Sequence, residues 1–202
     1  MSINLLETVQ QNLGYPTLHK IDPNSQDSSW DTTPLNKRFS QAAIPAVLTA
    51  LYLCVQSDDC AKFLLDNHSD QGWVDRIFTD NVKPAIQIIS DYSATPKAET
   101  ISKMNMIATE AVAVVKTQLP PNANIKDVKA YFNNQRKTIL LFLPSQLHMG
   151  KLLNDEALDD NVNKMEGPVS GFMNKLGSIF SQPVTEKEIK HVEKRYEDWD
   201  KK

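Results

Sequence analysis

Apolar residues recur along this chain at steps of three and four, the period of a helix buried on one face. Ile3, Leu6, Val9 and Leu13 carry that period behind a capping Ser2 and ahead of Gly14, which predicts a short first helix. Thr33 and Pro34 read as a helix start, a capping hydroxyl followed by a proline whose missing N–H goes unused at the first helical position. A long helix is expected from there to about Gln56. After Gln41 it is apolar on nearly every side, so neighbours must cover it all round and it is expected to form the centre of the fold. Residues 21–33, rich in Asp, Ser, Asn and Thr and containing Pro23, read as an irregular connection anchored by Trp30.

The pattern continues in the same style. Ser57, Asp58 and Asp59 open a short helix that ends near Asn67. Trp73, Ile77, Val82, Ile86 and Ile89 predict another, kinked or broken at Pro84. Thr95 and Pro96 repeat the start signal, and Ile101, Met104, Ala108, Ala111 and Val115 form a core-facing stripe that Pro120 and Pro121 end. Asn124 caps the next helix, with Asp127 in its first turn and Ile125, Val128, Phe132, Ile139 and Phe142 following before Pro144. A short helix is expected around Leu147 to Leu153. Val162, Met165, Val169, Phe172, Leu176 and Ile179 make a strongly amphipathic stretch divided at Gly167 and Pro168. Thr185 and Glu188 form a capping box opening a last helix whose narrow stripe is Ile189, Val192, Tyr196 and Trp199. No window alternates as a strand does.

The expected fold is therefore all-α, one multihelical domain over residues 1–202 with about eight helices and a C-terminal docking helix within 183–202. Phe39 leads a proline-containing apolar run toward Lys62, Phe63, Leu64, Leu65 and Asp66, and Phe132 leads one toward Lys151, Leu152, Leu153, Asn154 and Asp155. A diverged duplication gives such an echo, and so does shared helix grammar. The run from Phe39 to Leu48, the run from Leu143 to Leu153 and the run from Asn163 to Ser170 resemble the YidB-like group of small bacterial helical proteins. That resemblance implies a multihelical fold and a bacterial source. It brings no catalytic motif, and the glycine-rich runs of that group are missing here.

Composition changes this picture little. The 202 residues are 41% hydrophobic and 23% charged, which is ordinary globular usage rather than that of a disordered or membrane chain. A formal charge of −3, from 25 acids and 22 bases without a basic arm, gives a phosphate backbone nothing to meet. Nucleic acid is thus not expected as a partner. The start of the chain lacks the basic and apolar regions of an export signal, so a cytoplasmic location is expected. Cys54 and Cys60 match neither a redox pair nor half a zinc site, and both are expected to be reduced and to ligate nothing.

Residues in patterns that carry chemistry are few along the chain. His19, His68, His148 and His191 share no spacing, and Glu188 with His191 is a single copy of a ligand pair that di-iron bundles need twice. Asp155, Glu156, Asp159 and Asp160 lack the calcium-loop pattern and read as an exposed acidic connection. Cys60 sits at a helix start, where a thiol is activated, but Asp58 and Asp59 disfavour its thiolate. The glycines are isolated, so no phosphate or dinucleotide cradle can be built. No catalytic residue, metal site or cofactor is expected.

One segment leans toward function. Over residues 168–181, Val169, Phe172, Met173, Leu176, Ile179 and Phe180 form a wide apolar face opposite Ser170, Asn174, Lys175, Ser178 and Ser181. Packing on the core explains such a face, as does docking on a partner protein or a second copy, to which Met and Phe are suited. A membrane surface is disfavoured, because Lys175 is the one base on the polar face. The chain is expected to be a non-catalytic interaction or structural protein. The alternative is a small-molecule or metal-assisted enzyme whose site forms only in three dimensions, marked by a pocket lined by two or more of His19, His68, His148, Asp66 and Glu110.

Overall fold

The computed structural model describes residues 3–21, 34–66, 72–155 and Leu158, all within a compact unit of Met1–Lys164. In chain order the helices are α1 (Leu5–Asn12), α2 (Leu35–Cys54), α3 (Asp58–Leu65), α4 (Trp73–Phe78), α5 (Val82–Ser93), α6 (Lys97–Gln118), α7 (Ile125–Leu140) and α8 (Met149–Leu153). Short 3₁₀ turns, Thr79–Asn81 and Ser145–Leu147, precede α5 and α8. Among the described residues there is no strand, and the fold is all-α and multihelical.

The helix expected at the centre is there. Every residue of α2 from Phe39 to Leu51 is buried, and α1, α4, α5, α6 and α7 all pack against it. Pro45 lies inside this helix without ending it. A proline there deletes one backbone hydrogen bond and costs about 3 kcal/mol in an isolated helix. Burial on every side outweighs that, since Ile44, Val47, Leu48 and Leu51 are fully sequestered. No described helix is long and apolar enough to cross a membrane by itself, and the apolar surface of α2 from Phe39 to Leu51 is covered by its neighbours.

The stripe of α6 is buried as its spacing predicts, with Met104, Ala108, Ala111 and Val115 inaccessible and Ile101 partly covered. In α7, Asn124 and Asp127 form a reciprocal capping box, and Val128, Phe132 and Ile139 enter the core. Several boundaries differ from those expected. Asn4 caps α1 through a hydrogen bond its side chain accepts from the Glu7 N–H at 3.4 Å, so the helix starts later than a Ser2 cap would place it. Pro34 and Pro96 are extended cap residues rather than first helical residues.

The break expected at Pro84 lies instead at Thr79, which has φ 47°. Pro84 stands in the first turn of α5, where the N–H groups have no intrahelical partner, so its ring is tolerated. The connection 22–33, the amphipathic stretch of 162–179 and the final helix of 185–200 fall outside the described residues.

Candidate functional site

The chemistry a fold can perform depends on which polar groups it buries and what they face. Among the described residues the buried polar side chains are Gln10, Ser40, Gln41, Thr49, Ser90, Ser93, Thr100 and Gln135. Each bonds to backbone. Gln41 is the most heavily used: its Nε2 donates to the carbonyls of His19 and Phe142, each at 3.0 Å, and its Oε1 accepts from the His19 N–H at 2.9 Å. Gln135 does the same for the start of the chain, accepting from the Leu5 N–H at 3.1 Å and donating to the Ile3 carbonyl at 2.9 Å. Together with the Ile21 N–H donating to the Leu141 carbonyl, these amides strap the N-terminal segment onto α2 and α7.

The remaining hydroxyls serve the same purpose. Thr49 Oγ1 donates to the Pro45 carbonyl at 2.7 Å, Ser93 Oγ to the Ile89 carbonyl at 2.7 Å, and Ser90 Oγ to the Thr95 carbonyl at 2.6 Å. A side-chain amide or hydroxyl held in this way serves the structure, with a donor already engaged by a backbone carbonyl.

A cysteine pair, an aromatic cluster and charged side chains come together where α2 turns into α3. The two helices meet at 111°, which brings the Cα atoms of Cys54 and Cys60 to 5.6 Å, and a disulfide joins them. The reduced state expected for these cysteines is thereby corrected. Their spacing in sequence is uninformative, because the turn after Cys54, rather than the residue count, sets the distance. Ser57 organises that turn, donating to the Cys54 carbonyl at 2.9 Å and accepting from the Cys60 N–H at 3.2 Å as the cap of α3.

A groove of about 690 Å³ opens beside the disulfide, walled by Cys54, Cys60, Phe63, Asp75, Arg76 and Ile77 among others. The Arg76 guanidinium lies 3.8 Å from the Phe63 ring centroid, and Phe63 meets Trp73 edge to face at 5.1 Å. The start of α4 borrows its cap: Gly72 has no side chain, so the Val74 N–H donates to Asn105 Oδ1 of α6 at 3.1 Å.

A second groove of about 450 Å³ lies between α5 and α6, with Lys83 and Lys97 above Ile86 and Ile101. Burial pushes the phenols of Tyr15, Tyr92 and Tyr131 above their ordinary value of 10; for Tyr15, Lys103 opposes the rise and Glu99 adds to it.

The residues that would mark an enzyme are not brought together by either groove. His19, His148 and Asp66 are exposed, Glu110 accepts from Asn12 Nδ2 at 2.7 Å on α6, and His68 lies outside the described residues. No group of three or more His, Cys, Asp or Glu among the described residues is placed to hold a metal ion. Val169, Phe172, Met173, Leu176, Ile179 and Phe180 also lie outside the described residues. Sequence reasoning missed the disulfide and the Arg76–Phe63 stack; it placed the start of a short helix at Ser57, Asp58 and Asp59 but not the turn that brings the cysteines together. Compared with protein families, curated proteins and solved structures, the chain matches none.

Proposed function

We propose that the chain is a non-catalytic helical protein that acts by binding a partner protein or a second copy of itself through the apolar face of residues 168–181. One observation supports the non-catalytic part above all. The buried glutamines, serines and threonines of the described residues each bond to backbone groups, as they do in a scaffold, and His19, His148 and Asp66 are exposed, whereas a catalytic centre gathers such titratable groups at a cavity. The partner face is supported by the spacing of Val169, Phe172, Met173, Leu176, Ile179 and Phe180.

The test is affinity capture of the tagged full-length chain from the cells that make it, alongside the variant carrying Phe172→Asp and Leu176→Asp. Loss of a specific co-purifying protein, or of self-association, with an unchanged helical circular dichroism spectrum supports the reading. If the double variant unfolds the domain, those side chains belong to the core and the reading fails.

A further inference from the structure

We propose that the Cys54–Cys60 disulfide is a reversible clamp on α3, opened by a dithiol reductant that reaches it through the adjoining groove. Both cysteines line that groove, and Cys54, the more exposed of the two, is the sulfur within reach of an attacking thiolate. Attack on Cys54 Sγ forms a mixed disulfide and releases Cys60 as a thiolate, which takes up a proton. The second thiol of the reductant then attacks its own bonded sulfur and expels Cys54. The reductant leaves as a cyclic disulfide, and two electrons and two protons have passed to the protein.

The surroundings make opening local. The bond closes a loop with a sequence separation of only 6, so it constrains the unfolded chain less than a long-range cross-link does. Helix α3 has eight residues, too few to be stable alone, and buries only Cys60, Ala61 and Leu64. Its further ties lie at the surface: the half-buried Phe63 ring, edge to face with Trp73 at 5.1 Å and 3.8 Å from the Arg76 guanidinium, and an ion pair from Lys129 Nζ to Asp58 Oδ1 at 2.6 Å, in which Asp58 is 75% exposed and the attraction correspondingly weak. By contrast α2, at the other end of the bond, is held by packing on all sides and does not depend on the disulfide. Reduction therefore loosens α3 against α7 and leaves the rest of the fold in place, coupling the thiol state of the surroundings to one surface of the molecule.

The full-length chain, air-oxidised and then treated with dithiothreitol without denaturant, is followed by thiol alkylation and by amide hydrogen exchange. We expect no alkylation before reduction and two alkylated cysteines after it. Exchange over α3 should accelerate on the order of 30-fold, the loop-closure constraint expressed as an opening constant, while α2 and α6 still exchange only through global unfolding with its full denaturant dependence, and reoxidation restores the slow rate. The variant carrying Cys54→Ser and Cys60→Ser should exchange as the reduced protein does and ignore dithiothreitol. The proposal is overturned if the oxidised chain already alkylates, if reduction requires denaturant, or if α3 exchange does not change. It is overturned equally if reduction makes α2 and α6 open together with α3, with one shared denaturant dependence, since the bond would then be a staple of the whole domain.

Discussion

Helices α2 and α3 are neighbours in sequence and differ in what holds them. Over α2 the run from Phe39 to Leu51 is buried without interruption, and the helix survives a proline at its middle. In α3 one narrow face is buried, and the helix is fixed by particular ties: the Ser57 cap, the disulfide at Cys60, the Phe63 ring against Trp73 and Arg76, and the Asp58–Lys129 pair. The first is stabilised by area, which is insensitive to detail; the second by a few geometric contacts, each of which one substitution or one reaction removes. Where a fold can be opened without being destroyed follows from that difference.

The contrast is sharpest in what single changes should do. Leu48→Ala removes a fully buried side chain from the middle of α2 and should destabilise the domain by about 2–5 kcal/mol, seen as a lower denaturation midpoint with an unchanged slope. Gln41→Leu keeps the bulk of the side chain but leaves the Phe142 carbonyl and both backbone groups of His19 unmet; the expected loss is about 2–3 kcal/mol. If Gln41→Leu proves neutral, the N-terminal strap contributes nothing and the account of the polar interior is wrong.

These two positions also show how far the sequence could be read. Leu48 was legible as core because an unbroken apolar run at helical length has no other stable place. Gln41 was legible only as the edge of that run, since its partners lie far along the chain at His19 and Phe142 and a side-chain-to-backbone bond leaves no periodic trace. The capping box at Asn124 and the stripe of α6 were readable because both are local patterns. The disulfide, the cap that Asn105 lends to α4 and the break at Thr79 depend on how helices meet, which spacing does not record. The candidate partner face, 168–181, was legible as an amphipathic stretch, though amphipathicity alone assigns no partner.

Around α3 the expected effects are smaller and local. Cys54→Ser with Cys60→Ser should lower stability by about 2 kcal/mol relative to the oxidised chain, from loop-closure entropy, measured by denaturant titration. Ser57→Ala removes the cap that Cys60 N–H uses and should cost about 1 kcal/mol. Lys129→Met breaks an exposed ion pair and should shift stability by no more than about 0.5 kcal/mol, an effect that salt diminishes. A loss at Lys129 as large as that at Leu48 would erase the distinction between the two helices.

Residue-resolved native-state hydrogen exchange of the oxidised full-length chain, at increasing low denaturant, tests that distinction most directly. The amides of α2 from Ile44 to Leu51, apart from Pro45, should exchange only by global unfolding, with the full denaturant dependence of the domain, while those of α3 exchange through a smaller opening with little dependence. Equal protection and equal denaturant dependence in the two helices would contradict the account, because α3 would then be as deeply built into the cooperative core as α2.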